Sequence, residues 1–391
     1  MRGFTKGLAG LAVLTILAWL GLWLYAEMRL KQLVAAEIGR ANASGTVQIS
    51  YDALTTSDSP LVASVTLANP SWTSQPTPGG PTVSLRAASV GAHIDLLAPL
   101  LLHVDMPLSI TITTPEASGA LTFAVADITE NLSPSLWTGN TSNPITGGDA
   151  HFDGINLLAS NGSLQIAQID SLTLHELLDA TAGPGGTAMS LTETMNHFQI
   201  SPIISRLINL PFHGQIAYLG FSMRLSGPLD WQSMARGIAA LPQGDARVHF
   251  MLQSLHQWAL AGGSGQASLS ASLGPSQFAA AGGIKFNNQG QPSGTAAFSA
   301  THLDAFTDAI TSAYPALQNG VSQFEARFSP YLSTTDTGGQ TLTMNTVYGP
   351  NGIVVNGSKT GSLPPLDWNN LLNPPPAPPT APGDGSGAAT P

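Results

Sequence analysis

Apolar residues recur at every second position in one short segment after another from Val47 to Val355. "TVQISY" sets Val47, Ile49 and Tyr51 on one side, "TVSL" does so with Val83 and Leu85, "PLSITITTP" with Leu108, Ile110 and Ile112, and "ALTFAV" with Leu121, Phe123 and Val125. A period of two is the mark of a half-buried β-strand, because successive side chains point to opposite faces. It returns in "SLQIAQI", "GQIAYLGFSMRLSG", "ARVHFML", "QASLSASL", "FAAAGGIKF", "GTAAFSA", "QFEARF", "QTLTMNTV" and "NGIVVNG", with turn-forming clusters such as "AGPGG" between many of them. In "QIAYLGFSMRL" the apolar set moves from Ile216 and Tyr218 to Phe221, Met223 and Leu225, which predicts a β-bulge at Gly220. The expected fold is mainly β with a few helices.

Three segments carry a helical period instead. In "SLTETMNHF", Ser190 and Glu193 form a capping-box pattern, followed by Leu191, Met195 and Phe198 at helical spacing. "PLDWQSMARGIAAL" places Trp231, Met234, Ile238 and Leu241 behind Pro228, a residue favoured at the first helical position. "THLDAFTDAITSAY" repeats the capping pattern at Thr301 and Asp304, with Leu303, Phe306, Ile310 and Tyr314 as its stripe. Each stripe is expected to pack on the sheet. Residues 262–300 alternate Ala, Ser and Gly with single large residues, so one face of those strands lacks bulk. Such strands either approach a neighbour closely or leave room for something other than protein.

Ahead of the first strand, residues 7–26 carry no charge. A helix of that length matches the roughly 30 Å hydrocarbon core of a bilayer. Leu11, Leu14, Leu17 and Leu22 lie in the run, while Trp19, Trp23 and Tyr25 crowd its far end, where aromatic rings settle among head groups. No Ala-x-Ala site follows, so the expectation is a retained anchor, with cleavage near Ala26 as the alternative. "EMRLKQLVAAEI" continues with Met28, Leu30, Leu33, Val34 and Ile38 near one helical face, an amphipathic stalk. The expected organisation is a cytoplasmic tip (1–6), a transmembrane anchor (7–26), the stalk (27–40), a periplasmic β-rich domain (41–362) and a Pro/Gly-rich tail (363–391) that cannot bury a core. Basic residues at 2 and 6 before the span and at 29, 31 and 40 after it leave orientation undecided by charge.

Only 9% of the 391 residues are charged, so Ser, Thr, Asn, Gln and Gly must supply the polar surface, as outward positions of long sheets do. Five of the 13 basic and two of the 23 acidic residues fall at or before Arg40, leaving the remainder with a net charge of −13. That balance argues against nucleic acid as a partner and against a basic patch docking on anionic lipid. Cysteine is absent, which removes disulfides, thiolate metal sites and cysteine nucleophiles and fits a bacterial envelope compartment.

Catalytic spacings are not met. His175–Glu176 lacks the second His of a zinc-protease helix, since position 179 is Asp. The "GGSGQ" around Ser264 lacks the second Gly of a nucleophile elbow, and Lys359-Thr360-Gly361 has no Ser-x-x-Lys companion. A non-enzymatic chain without cofactor or metal is expected.

An apolar N-terminal span, a β-rich region opening with "VQISYDALTTSDSPLVASVTLANPSW", no cysteine and a closing "NGIVVNGSKTGSLPPL" before a Pro-rich tail together resemble an uncharacterised alphaproteobacterial envelope family, known only as a domain of unknown function and similar to the wider AsmA-like set. Asp58-Ser59-Pro60 stands where that family usually has Gly-Phe-Pro, so Pro60 alone carries over. The resemblance implies a curved, mostly antiparallel periplasmic sheet tethered to the inner membrane, groove-like with an apolar trough that handles phospholipid, or folded as a sandwich if its apolar faces meet. On that reading Val83, Leu85, Leu108, Ile110, Ile112, Leu121, Phe123 and Val125 are the expected lipid-facing positions. About 14 strands at 4.7–4.9 Å spacing would extend roughly 65–70 Å. The competing reading is an assembly or interaction scaffold whose apolar faces meet in a closed core.

Overall fold

The computed structural model describes residues 2–43, 47–57, 59–74, 81–138, 144–159, 162, 164–241, 244–335 and 339–373, without the side chains of 2–14, 16 and 239. The side chains of Leu11 and Leu14, and the tail from 374 on, therefore lie outside the described residues.

Helix α1 (Arg2–Ala43) is built from Ala, Leu, Met, Glu, Lys and other good helix formers. Five strands follow, each interrupted near its middle: β1 (Val47–Ser50) with β2 (Ala53–Thr56), β3 (Val62–Ala68) with β4 (Ser71–Ser74), β5 (Val83–Arg86) with β6 (Ser89–Asp95), β7 (Leu101–Asp105) with β8 (Ser109–Thr113), and β9 (Ser118–Thr122) with β10 (Val125–Leu132). One set of halves pairs as β2–β3–β6–β7–β10, the other as β1–β4–β5–β8–β9, and both run antiparallel onto β11 (Ile145–Ala159). The interruptions line up as a crease. Pro70 and Pro107 fall in it, where the missing N–H breaks a ladder. Asn69 adopts φ 48 and donates its side-chain amide to Asp52 at 2.8 Å. In β11 the crease is met by Gly154 at φ 57, where an added Cβ would come within 2.8 Å of the Ala124 Cβ.

Long antiparallel strands continue the sheet: β12 (Leu164–Leu178), β13 (Thr187–Ile200), β14 (Gln215–Ser226), β15 (Ser264–Leu273), β16 (Ser276–Phe286), β17 (Pro292–Thr301), then β18 (Leu332–Thr334) and β19 (Gln340–Gly349), β20 (Gly352–Val355) and β21 (Ser358–Gly361). Each pairs with the next up to β17, which pairs with β19; β18 also adds to β19. Helices α2 (Pro202–Leu207), α3 (Trp231–Ala240), α4 (Asp245–Leu260), α5 (Leu303–Ala313), α6 (Gln318–Phe328) and α7 (Trp368–Leu372) sit in the connections and after the last strand. The mainly β fold with one curved antiparallel sheet is therefore as expected.

Several local expectations are corrected. "SLTETMNHF" is strand β13: its Thr residues alternate with Leu191, Glu193 and Met195, and cross-strand pairing outweighs the capping pattern. "ARVHFML" and "QFEARF" are helical, within α4 and α6. The Phe324 and Phe328 rings meet tilted at 4.7 Å, an i, i+4 contact that a period of two also satisfies over so short a stretch. Helices α3 and α5 form where expected, with different ends. Asp230, not Pro228, precedes α3 and accepts from the Ser233 N–H, while Asp304 accepts from the Gln340 N–H and ties α5 to β19. Residues 363–373 are folded, not tail: Trp368 is buried, stacks on His256 and donates to the Gly290 carbonyl at 2.9 Å.

There is no bulge at Gly220. The β13–β14 and β14–β15 registers run through it unbroken, and Tyr218 lies over Gly220 on the same face. What changes at this level is which face is dry. Leu219, Phe221, Met223 and Leu225 point to one side, Ile216 and Tyr218 to the other.

The segment expected as an amphipathic stalk packs along the sheet. Ala26, Leu30 and Leu33 form a stripe at spacings of four and three, buried against Ala63, Val65, Ile94 and Leu102, with Leu132 and Leu136. Met28, expected on that stripe, is 48% exposed. Among the described residues no helix is long and apolar enough to cross a membrane.

Candidate apolar trough on the sheet

Register places one residue from each strand in continuous rows. Val65, Ala92, Val104, Ile128, Ala150, Leu174, Glu193, Phe221, Leu269, Ala280, Phe298 and Met344 stand opposite one another from β3 to β19. Eleven of the twelve are apolar. The neighbouring row faces the other way: His103, Thr129, Asp149, His175, Thr192, Ser222 and Ser268. His175 pairs with Asp149 at 2.7 Å there, and Ser222 with Ser268. One face is thus dry and the other wet across the central sheet.

Helices cover the dry face at its two ends. Leu30 and Leu33 of α1 lie on Val65, Ile94 and Leu102. At the far end Leu303, Phe306 and Phe328 lie on Phe278, Phe298, Ala300 and Leu342, with the Phe278 and Phe306 rings edge-on at 4.9 Å. Between these ends Leu269 remains 47% exposed. Beside it is a recess of about 380 Å³ walled by Phe221, Phe298 and Met344 and floored by Ala267, Ala280, Gly282 and Ala296. Phe298 separates it from a second recess of about 310 Å³ under α5 and α6, lined by Phe278, Leu303, Phe306, Val321 and Phe324. The small residues of 262–300 therefore leave room.

Nearer α1 the same face carries two acids. Glu130 and Glu176 both stand opposite Gly148 on either side of β11. Glu37 and Arg40 of α1, paired with each other at 2.5 Å, and Gln232 and Arg236 of α3 complete a cavity of about 260 Å³ around them. Burial, and then the charge of Glu176, push the Glu130 carboxyl up to about 7; burial also raises Glu176. Among the described residues no group of three or more His, Asp or Glu is arranged to hold a metal ion.

The residues singled out from the sequence divide between sites. Ile110, Leu121, Leu157, Ala167 and Ile200 form a dry row of their own. By the alternation of β12, Ala167 faces the same side as His175, so this row lies on the opposite face from the central trough. Leu85 and Ile112 stand opposite each other on β5 and β8, while Val83 faces Ser74. Phe123 packs against Phe152 at 5.5 Å in the crease. Leu108 is 55% exposed between β7 and β8, and Val125 is exposed opposite Asp153, on the wet side. Of the expected anchor residues, Leu17 and Leu22 are exposed, whereas Trp19 and Trp23 pack near Ala63 and Leu96. Tyr25 donates to the Trp137 carbonyl at 2.6 Å. Phe221, Leu269, Phe298 and Met344 lie in alternating segments of the sequence, yet only register brings them together.

Fold and trough define a class: a single-sheet β-protein with a partly uncovered apolar face. The chain belongs to the DUF2125 family, described as an uncharacterised protein conserved in bacteria, whose profile matches residues 23–341. No curated protein and no solved structure matches it.

Proposed function

We propose that the chain is an inner-membrane-anchored, periplasmic envelope protein, akin to AsmA-like proteins, that holds phospholipid acyl chains on the dry face without catalysing a reaction. The gap in helical cover over Leu269 carries this reading. Evolved monomers rarely leave a continuous apolar surface in water unless something else covers it. The two recesses together fall in the range of ligand sites, and their walls are mainly hydrocarbon and aromatic rings, with Ser268, Thr307 and Thr346 as the polar residues and no charged group. An acyl chain asks for that lining and for no directional contact.

The test compares the full chain with an Ala280→Phe, Ala296→Leu variant that fills the recess from its floor. Each is purified from membranes in detergent, and bound phospholipid is quantified by mass spectrometry of an organic extract. At least a threefold loss of phospholipid per chain is expected in the variant, with an unchanged melting temperature. Equal amounts would overturn the reading, since lipid held only around the anchor is the same in both. A lipid-free parent would favour the alternative, a non-catalytic assembly scaffold with a closed β core.

A further inference from the structure

We infer that the end of the sheet beside Trp19 is itself seated in the bilayer, its turns entering the head-group and acyl boundary through Leu61, Leu97 and Leu100. This rests on the anchoring part of the proposal above and not on lipid in the trough.

The first observation is one of length. Trp19 donates its indole N–H to the Pro60 carbonyl at 2.7 Å, which pins the β2–β3 turn at the level of residue 19. The uncharged run continues to Ala26. At 1.5 Å per residue the six residues from Trp19 to Tyr25 extend about 9 Å. Only about 18 Å of helix precedes Trp19 within the run, well short of a core of roughly 30 Å. The turn therefore cannot stand clear of the bilayer while the run fills it; it lies at the depth that interfacial segments reach, about 5–10 Å.

The second is the chemistry of the turns. Leu61 is 65% and Leu97 88% exposed, and Leu100 is exposed as well. Residues 96–102, "LLAPLLL", contain no polar side chain. Polar backbone entering lipid must find partners within the protein. Here the Pro60 and Pro99 carbonyls accept from the indoles of Trp19 and Trp137, at 2.7 and 3.1 Å. The Ala98 N–H donates to Asp95 and the Leu101 N–H to Ala98. Trp19 and Tyr25 of α1 and Trp137, in the 3-10 turn after β10, thus form an aromatic belt at this end of the sheet.

Because the chain has no cysteine, single cysteines report position directly. Leu97→Cys, Leu17→Cys and Gln277→Cys variants of the full chain, labelled with an environment-sensitive fluorophore, are reconstituted into phosphatidylethanolamine/phosphatidylglycerol vesicles carrying nitroxide lipids. Quenching at 97 is expected to be at least threefold above that at 277 and strongest with a nitroxide near the head group. Quenching at 17 with a water-exposed label at 97 overturns the inference and leaves the anchor standing. Water exposure at both 17 and 97 removes the anchor and the inference together.

Discussion

Glu130 and Glu176 face one another across Gly148, two carboxyls on one side of three adjacent strands with a hydrogen atom where a side chain would separate them. Neither has a cation of its own in the described contacts: Arg40 is held by Glu37 at 2.5 Å, and Arg236 bonds to the Gln232 carbonyl and the Ser233 hydroxyl.

The pH dependence of stability follows. The Glu130 carboxyl is raised from 4.5 to about 7, so between those values the folded chain keeps a proton that the unfolded chain has released. Stability is therefore greater in acid and falls as pH rises from about 4.5 to about 7. Glu130→Gln should flatten that fall and raise the melting temperature at pH 8 by about 1–2 °C, the equivalent of about 1 kcal/mol after discounting for solvent screening of the part-exposed carboxyl. Thermal unfolding at pH 5 and pH 8 checks both.

Gly154→Ala should lower stability by about 1–3 kcal/mol, because the backbone is left-handed there and the new methyl would meet Ala124. Denaturant unfolding measures it. A control at Gly183, which has open space around it and no left-handed backbone, should stay within about 0.5 kcal/mol.

Trp368→Ala should destabilise by about 3 kcal/mol through loss of a buried ring and of the hydrogen bond to Gly290. Limited proteolysis should then cut between Gly361 and Leu372 in the variant before it does so in the parent.

Asp230→Ala removes the cap of α3 and should cost about 1 kcal/mol, while Asp230→Asn should recover most of it. Melting temperatures of the pair separate the cap from the charge.

Much of the sheet was legible because alternation is a property of single segments. Val47–Ile49, Leu85, Ile110–Ile112, Leu121 and the Ala-rich strands after 262 all form strands as their period requires. The pattern is ambiguous where two periods coincide, as at Phe324 and Phe328, and where Ser190 and Glu193 mimic a cap inside β13. The trough was not legible. Phe221, Leu269 and Phe298 are far apart in the chain, and only the pairing of β14 to β17 makes them neighbours. Likewise the shift of apolar residues at Gly220 was visible, but a bulge and a change of dry face give the same string of letters. The burial of Ala26, Leu30 and Leu33 under the sheet depends on partners more than 30 residues away.

That change of side has a bearing on how copies of the molecule meet. Two such sheets laid against each other could shield one half of their strands only by turning the hydrocarbon of the other half outward on both backs. Stacking of like upon like therefore saves little apolar surface from water, and the geometry itself works against fibrillar self-association.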